Sequence, residues 1–132
     1  DHQEKYDIDL FGRGHNPLPE LEERGKLYGL VPYRFSIAIE NLQTDHYFSE
    51  KLLDCFLTGT IPIYYGARKV SEYFDPDGMI VFNDLTSLEY ILESLSEDLY
   101  HSKLEAISYN FNKALEYTDP LKLYLNLVDK CN

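Results

Sequence analysis

Residues 40–51 read ENLQTDHYFSEK. An apolar run, FSIAI, delivers Glu40 and Asn41. Eight positions after Asn41, Ser49, Glu50 and Lys51 open a second patterned segment, just after Tyr47. An ammonium at the start of a helix opposes the helix dipole, so Lys51 makes better sense beside an anionic ligand than as a helix stabiliser. Glu50 can accept hydrogen bonds from hydroxyls, as a sugar would offer. Each residue also has a plain structural reading. A glutamate in the first turn suits the dipole, Asn41 can start a turn, and Lys51 can be a solvated side chain. Only their grouping around one loop argues for a ligand.

The elements that must position these residues are legible from periodicity. Residues 33–39 are rich in aromatic and β-branched side chains and read as a central strand. Ser49 is a good N-cap, Leu52, Leu53, Phe56 and Leu57 recur on one helical face, and Gly59 suits the position after the helix end. A helix is therefore expected over residues 50–58. Residues 60–65, TIPIYY, read as a strand, with Pro62 at its beginning or on a sheet edge. Met79–Phe82 read as another strand, and Thr86 or Ser87 as the cap of a helix carrying Leu88, Ile91, Leu92 and Leu95. A longer helix is expected over 97–117, with Leu104, Ile107, Phe111 and Leu115 on one side, and a last one after Pro120. Upstream, residues 6–11 read as a strand ending at the turn Gly12-Arg13-Gly14, followed by a loop with one short helix around Pro19–Arg24.

This alternation predicts an α/β domain with a doubly wound parallel sheet of about four strands and helices on both faces. Ligands of such sheets bind outside the carboxyl ends of the strands. The strand ending at Ile39 thus delivers Glu40 and Asn41 to that crevice. The helix opening at Ser49 should bring backbone N–H groups and a partial positive charge, which attract phosphate. Arg34, Arg68 and Lys69 could add positive charge near the crevice, and Arg68 and Lys69, which follow the TIPIYY strand at its carboxyl end, are second-rank candidates.

The chain has 132 residues, enough for one domain, and a formal charge of −11. That balance argues against nucleic acid or an anionic membrane as the main partner, since both attract basic surfaces. No apolar run approaches the ~20 residues of a membrane helix. Cys55 and Cys131 read as free thiols in a reducing compartment, and the expected location is cytoplasmic. The chain opens on DHQEKYDIDLFGRG without an initiator Met, and is expected to have been cut from something longer.

The blocks FSIAIEN, YFSEKLLDCFLTGTIPIYYG and YFDPDGMIVFNDL, with DLFGRG upstream, resemble the α-1,3-fucosyltransferases of glycosyltransferase family ten, above all the bacterial members. There a strand ending in Glu-Asn precedes Tyr-x-(Thr/Ser)-Glu-Lys, a helix and Ile-Pro-Ile-Tyr-(Trp/Tyr)-Gly. Several separated blocks stand in the right order from about Ile8 to Leu85. The resemblance implies the C-terminal, GDP-fucose-binding half of a two-domain, Rossmann-like GT-B enzyme. It implies that Asn41 and Tyr47 line the donor pocket and that Lys51 binds the diphosphate. It implies that Glu50 contacts the sugar and supports positive charge developing at the anomeric carbon. Glu50 and Lys51 are thus the catalytic candidates, with Glu40, Ser49, Arg68 and Lys69 in a second rank. Ser49 replaces the commoner Thr and keeps the hydroxyl, and Tyr65 stands where many bacterial relatives have Trp.

Two departures follow from the same resemblance. The family's general base lies in an N-terminal domain, and a further phosphate-binding basic residue lies on a strand before DLFGRG. These 132 residues contain neither. The chain is therefore read as one donor-binding domain, residues 1–132, ending in helices over 97–132. It would meet its glycan acceptor through a missing N-terminal domain and transfer no fucose alone. A nucleotide-sugar-binding module or inactive fragment is the alternative. Asp75-Pro76-Asp77-Gly78 superficially resembles the Asp-x-Asp metal motif of other glycosyltransferases, but Pro-Asp-Gly is a strong turn signal. None of the four histidines has ligand spacing with another His or Cys. No metal and no cofactor other than the donor are expected. Glu93, Glu97 and Asp98 are read as a solvated helix face.

Overall fold

The computed structural model describes Leu30 and residues 32–118. The expected strand over 6–11, the short helix around Pro19–Arg24 and the helix after Pro120 lie outside the described residues. Within them the chain runs β1 (Phe35–Ile39), α1 (Glu50–Leu57), β2 (Ile61–Tyr65), two single 3-10 turns (Val70–Glu72 and Pro76–Gly78), β3 (Ile80–Val81), α2 (Leu85–Ser94), α3 (Glu97–His101) and α4 (Leu104–Leu115). The described strands form one parallel sheet in the order β1-β2-β3, with Phe35 opposite Ile61 and Ile63 opposite Ile80. A parallel sheet with flanking helices is the expected fold class.

Local chemistry explains α1. Ser49 is extended (φ −119, ψ −174) and its side chain accepts from the Lys51 N–H. Gly59 then takes φ 69, which an L side chain rarely adopts, and turns the chain into β2. Between them Leu52, Cys55 and Phe56 are buried at helical spacing and pack with Ala38 of β1 and Tyr64 of β2. Burial first, and then Asp54, push the Cys55 thiol up to about 12, against a hydrogen bond with Ser36 that works the other way. On the opposite face of the sheet Phe35 meets Tyr100 of α3 edge-on at 6.1 Å, and the Tyr100 hydroxyl donates to Gly59 O at 2.6 Å. Helices therefore cover both faces.

Four expectations are sharpened or corrected. Pro62 is at the beginning of its strand, the first of the two placements expected for it, and that strand is central rather than an edge. Ile61 N–H donates to Arg34 O in β1's approach. In a parallel ladder the next residue's backbone turns to the other neighbour, β3, whose pairing begins only opposite Ile63. The missing proline donor thus falls where no ladder bond is due. Second, Asp84 caps α2, not Thr86 or Ser87. Its carboxylate accepts from Ser87 N–H at 2.7 Å, and Ser87 Oγ closes a reciprocal capping box. Third, residues 97–117 are two helices. Ser102 Oγ donates to Leu99 O at 2.6 Å, and Lys103 N–H donates to Tyr100 O at 3.0 Å, a tighter turn that ends α3.

Fourth, the buried face of α4 is Ala106, Ile107, Asn110 and Ala114, whereas Leu104 is 50% exposed. The reason is close approach. Asn110, fully buried, donates from Nδ2 to Asp75 O at 3.0 Å and accepts from Asp75 N–H at 2.8 Å. A Cβ on Gly78 would sit 2.4 Å from Asn110 Nδ2. Asp75–Gly78 is thus the turn read from the sequence, the structure adds that Asp75 caps it, and α4 is keyed to it. Glu97 is not merely solvated either: Arg34 Nη2 pairs with it at 3.0 Å. Arg34 precedes β1, at the amino end of the strand, away from the carboxyl-end crevice.

The Asp84 cap carries a pH prediction. Hydrogen bonds from Ser87 hold its carboxyl below the ordinary aspartate value. A folded-state pKa below the unfolded one contributes stability that is present above the unfolded value, about 3.9, and is lost as pH falls through the folded value. Thermal melts from pH 7 to pH 2.5 are expected to fall less steeply below about pH 4 for Asp84→Asn than for wild type. Parallel acid limbs would show that the cap adds nothing there.

Candidate functional site

The carboxyl ends of β1 and β2 and the start of α1 meet at one buried carboxylate. Glu40 N–H donates to Tyr65 O at 2.9 Å and extends the β1–β2 ladder by one bond. The Glu40 side chain, only 3% exposed, turns down between the elements. Its Oε2 accepts from Ser49 N–H at 2.7 Å and from the Tyr64 hydroxyl at 2.9 Å, and its Oε1 accepts from Ser49 Oγ at 2.5 Å. Each of these hydroxyls in turn accepts from a backbone N–H, Ser49 Oγ from Lys51 at 3.2 Å and the Tyr64 hydroxyl from Ala67 at 3.2 Å. Burial above all raises the Tyr64 phenol well beyond the ordinary tyrosine range. The Ala67 N–H opposes that shift and the adjacent Glu40 adds to it. Tyr64 therefore stays a protonated donor.

Gly66 permits this packing. A Cβ there would lie 2.4 Å from both Glu40 Cγ and the Tyr64 hydroxyl oxygen. Sequence reasoning missed Tyr64 and Gly66 as parts of the site. The signal available was their place in the IPIYYG block, where Tyr64 falls on the α1 face of the strand.

The solvent side of this frame holds the other candidates. Lys51 Nζ donates to Asn41 Oδ1 at 3.1 Å, and both residues are exposed. Glu50 is exposed in the same first turn of α1, and Tyr47, on the loop before it, is 53% exposed. That loop is fastened to the segment after β2. Arg68 and Lys69 donate their backbone N–H groups to Thr44 O and Asp45 O, both at 2.8 Å, and Arg68 Nη1 pairs with Asp45 Oδ1 at 3.3 Å. Thr44 Oγ1 accepts from Tyr47 N–H at 3.1 Å. The hydroxyl of Tyr73 lies 2.8 Å from His46 Nδ1.

Asn41, Lys51, Ser49 and Glu40 thus form one hydrogen-bonded run, with Glu50 beside it, and Arg68 and Lys69 close the loop that carries Tyr47. Two placements differ from the sequence reading. Glu40 lies beneath the candidate site with both oxygens engaged, not in the crevice. The end of α1 offers fewer N–H groups than expected, because Ser49 N–H goes to Glu40, Lys51 N–H to Ser49 Oγ and Leu52 N–H to Ser49 O at 3.1 Å. With a carboxylate already at that helix end, positive charge for an anion must come from side chains, Lys51 first.

Among the described residues no group of three or more His, Cys, Asp or Glu could hold a metal ion, and no helix is long and apolar enough to cross a membrane.

Residues 2–119 match the family described as glycosyltransferase family 10 (fucosyltransferase), C-terminal part. The alpha-(1,3)-fucosyltransferase FucT of Helicobacter pylori is 31% identical over 64 residues, covering 48% of this chain and 13% of that protein. Human alpha-(1,3)-fucosyltransferase 4 is 36% identical over 81 residues, 58% of this chain and 15% of that protein. Alpha-(1,3)-fucosyltransferase B of Drosophila melanogaster is 32% identical over 105 residues, 76% of this chain and 23% of that protein. A solved alpha1,3-fucosyltransferase with GDP-fucose superposes with a TM-score of 0.57 at 26% identity, over 70% of this chain and 27% of that one. A second, with GDP, has the same fold at 22% identity and a TM-score of 0.57. The chain therefore spans less than a quarter of the length of these three curated relatives.

Proposed function

The chain belongs to glycosyltransferase family 10 (fucosyltransferase), whose C-terminal part it matches, and from that premise we propose that the carboxyl-end edge of its sheet binds the donor GDP-fucose. The reaction served would be an inverting, metal-independent transfer of fucose to a glycan hydroxyl. The acceptor oxygen attacks the anomeric carbon as the bond to the diphosphate breaks, and GDP leaves. Lys51 would neutralise charge gathering on the departing phosphate, and Glu50 would support the oxocarbenium-like centre. The acceptor proton would pass to a base contributed from the acceptor side. The cytoplasmic setting expected from the sequence belongs to the same proposal.

One observation carries this reading: the Lys51 ammonium is held 3.1 Å from Asn41 Oδ1 at the mouth of a parallel sheet. Its first turn is pinned from below by Glu40 through Ser49. A solved relative at 26% identity is described with GDP-fucose. The test is calorimetric titration of GDP and GDP-fucose. Lys51→Ala removes a charge-assisted contact worth about 1.5–3 kcal/mol, so both ligands should bind roughly 10- to 150-fold more weakly. Glu50→Gln should leave GDP affinity unchanged and weaken only the sugar-bearing donor. Equal GDP affinity in wild type and Lys51→Ala would make Lys51 a solvated surface side chain and end the donor reading.

A further inference from the structure

We infer that Tyr64, through Glu40 and Ser49, is a positioning residue that sets where Lys51 meets the ligand. The inference rests on the donor reading above and goes beyond it, because Tyr64 touches no candidate ligand atom. It lies with 0% exposure in β2 beneath α1. The connection is a continuous run of hydrogen bonds. The Tyr64 hydroxyl donates to Glu40 Oε2, Glu40 Oε1 accepts from Ser49 Oγ, and Ser49 Oγ accepts from the Lys51 backbone N–H. Glu40 Oε2 also takes the Ser49 N–H, so the cap residue of α1 is gripped by both its backbone and its side chain.

Two features set this apart from ordinary helix capping. A serine cap satisfies a helix end by itself, and a buried carboxylate is not needed for it. Here a carboxylate is buried at a desolvation cost and three donors converge on it. The run also spans three separate elements, the ends of β1 and β2 and the start of α1. Lys51, the only residue of the run with its charge in solvent, is pinned at both ends. Its N–H is held by Ser49 and its ammonium by Asn41, which directly follows Glu40. A shift of the carboxylate therefore moves both of its anchors. A side chain held this way loses less rotamer freedom on binding, which is how pre-organisation raises affinity.

The test is a double-mutant cycle read as GDP affinity, with near-ultraviolet circular dichroism confirming a native fold in each variant. If Tyr64 acts through Lys51, Tyr64→Phe should weaken GDP about three- to tenfold in the wild-type background, within the range of couplings inside one hydrogen-bond network. In the Lys51→Ala background the same change should have almost no effect. Ser49→Ala should behave like Tyr64→Phe, and Ser49→Thr, which keeps the hydroxyl, should restore the affinity. An equal loss in both backgrounds, or none in either, overturns the positioning role while leaving the donor reading intact. Failure of Lys51→Ala to weaken GDP overturns both.

Discussion

Replacing Gly66 by alanine is expected to cost the fold about 2–6 kcal/mol, the sum of overpacking at about 1–3 and a broken buried hydrogen bond at about 1–3. The added methyl would meet Glu40 Cγ and the Tyr64 hydroxyl at 2.4 Å and Tyr64 Cζ at 2.6 Å. None of these is the free end of a mobile side chain. Tyr64 is fully buried and tied to Ala67 and Glu40, and Glu40 is tied to Ser49. Relief must come from moving the β2 exit or from expelling the Glu40 carboxylate, and either one breaks the network. Against a domain stability of about 5–15 kcal/mol, such a loss should move the urea midpoint visibly at unchanged slope. A change below about 1 kcal/mol would mean that the turn after β2 yields more easily than its packing suggests.

Glu40→Ala is expected to be as damaging by a different route. It creates no clash. It takes the acceptor from three donors, the half-buried Ser49 N–H and Oγ–H and the buried Tyr64 O–H. Each unsatisfied buried donor costs about 1–3 kcal/mol, and water entering the space left by the side chain should recover part of that. A net loss of about 3 kcal/mol or more is expected. Glu40→Gln separates charge from shape. Its carbonyl can take the Oε2 position and keep Ser49 N–H and Tyr64 O–H, and only the bond to Ser49 Oγ must reverse. Its loss should be about 1 kcal/mol, that of a single hydrogen bond. Both variants are to be compared by denaturant titration. Equal costs for Ala and Gln would show that the negative charge itself holds the end of α1.

Much of this was legible in the chain because it is local. A serine before a helical pattern, a glycine after it and apolar residues at spacing three and four specify α1 within ten residues, and the structure agrees nearly to the residue. Pro-Asp-Gly specified the turn at Asp75–Gly78. The two β-rich runs on either side of α1 pair in parallel, as a strand–helix–strand unit requires. The family's motif is likewise a run of near neighbours, so Asn41, Tyr47, Ser49, Glu50 and Lys51 were all nameable as candidates.

What the sequence left open depends on which element packs on which. Nothing local says that Tyr64 lies against Glu40, 24 positions earlier, or that Gly66 must lack a side chain because those two side chains fill its space. Hydrophobic spacing favoured Leu104, Phe111 and Leu115 as the inner face of α4. The close approach of α4 to the Asp75–Gly78 turn selects Ala106, Asn110 and Ala114 instead, since small side chains and one bidentate amide fit where leucine would not. Pro62 could be placed near a strand's start, but only the neighbour of β2 on its other side shows why a central strand tolerates it. The same holds for the candidate site. Residue types announced a carboxylate and an ammonium around one loop. Tertiary packing decided that Glu40 is withdrawn as an internal anion beneath α1 while Lys51 stays in solvent, because Glu40 meets three donors at the junction of two strands and a helix, and Lys51 projects from the helix's outer side.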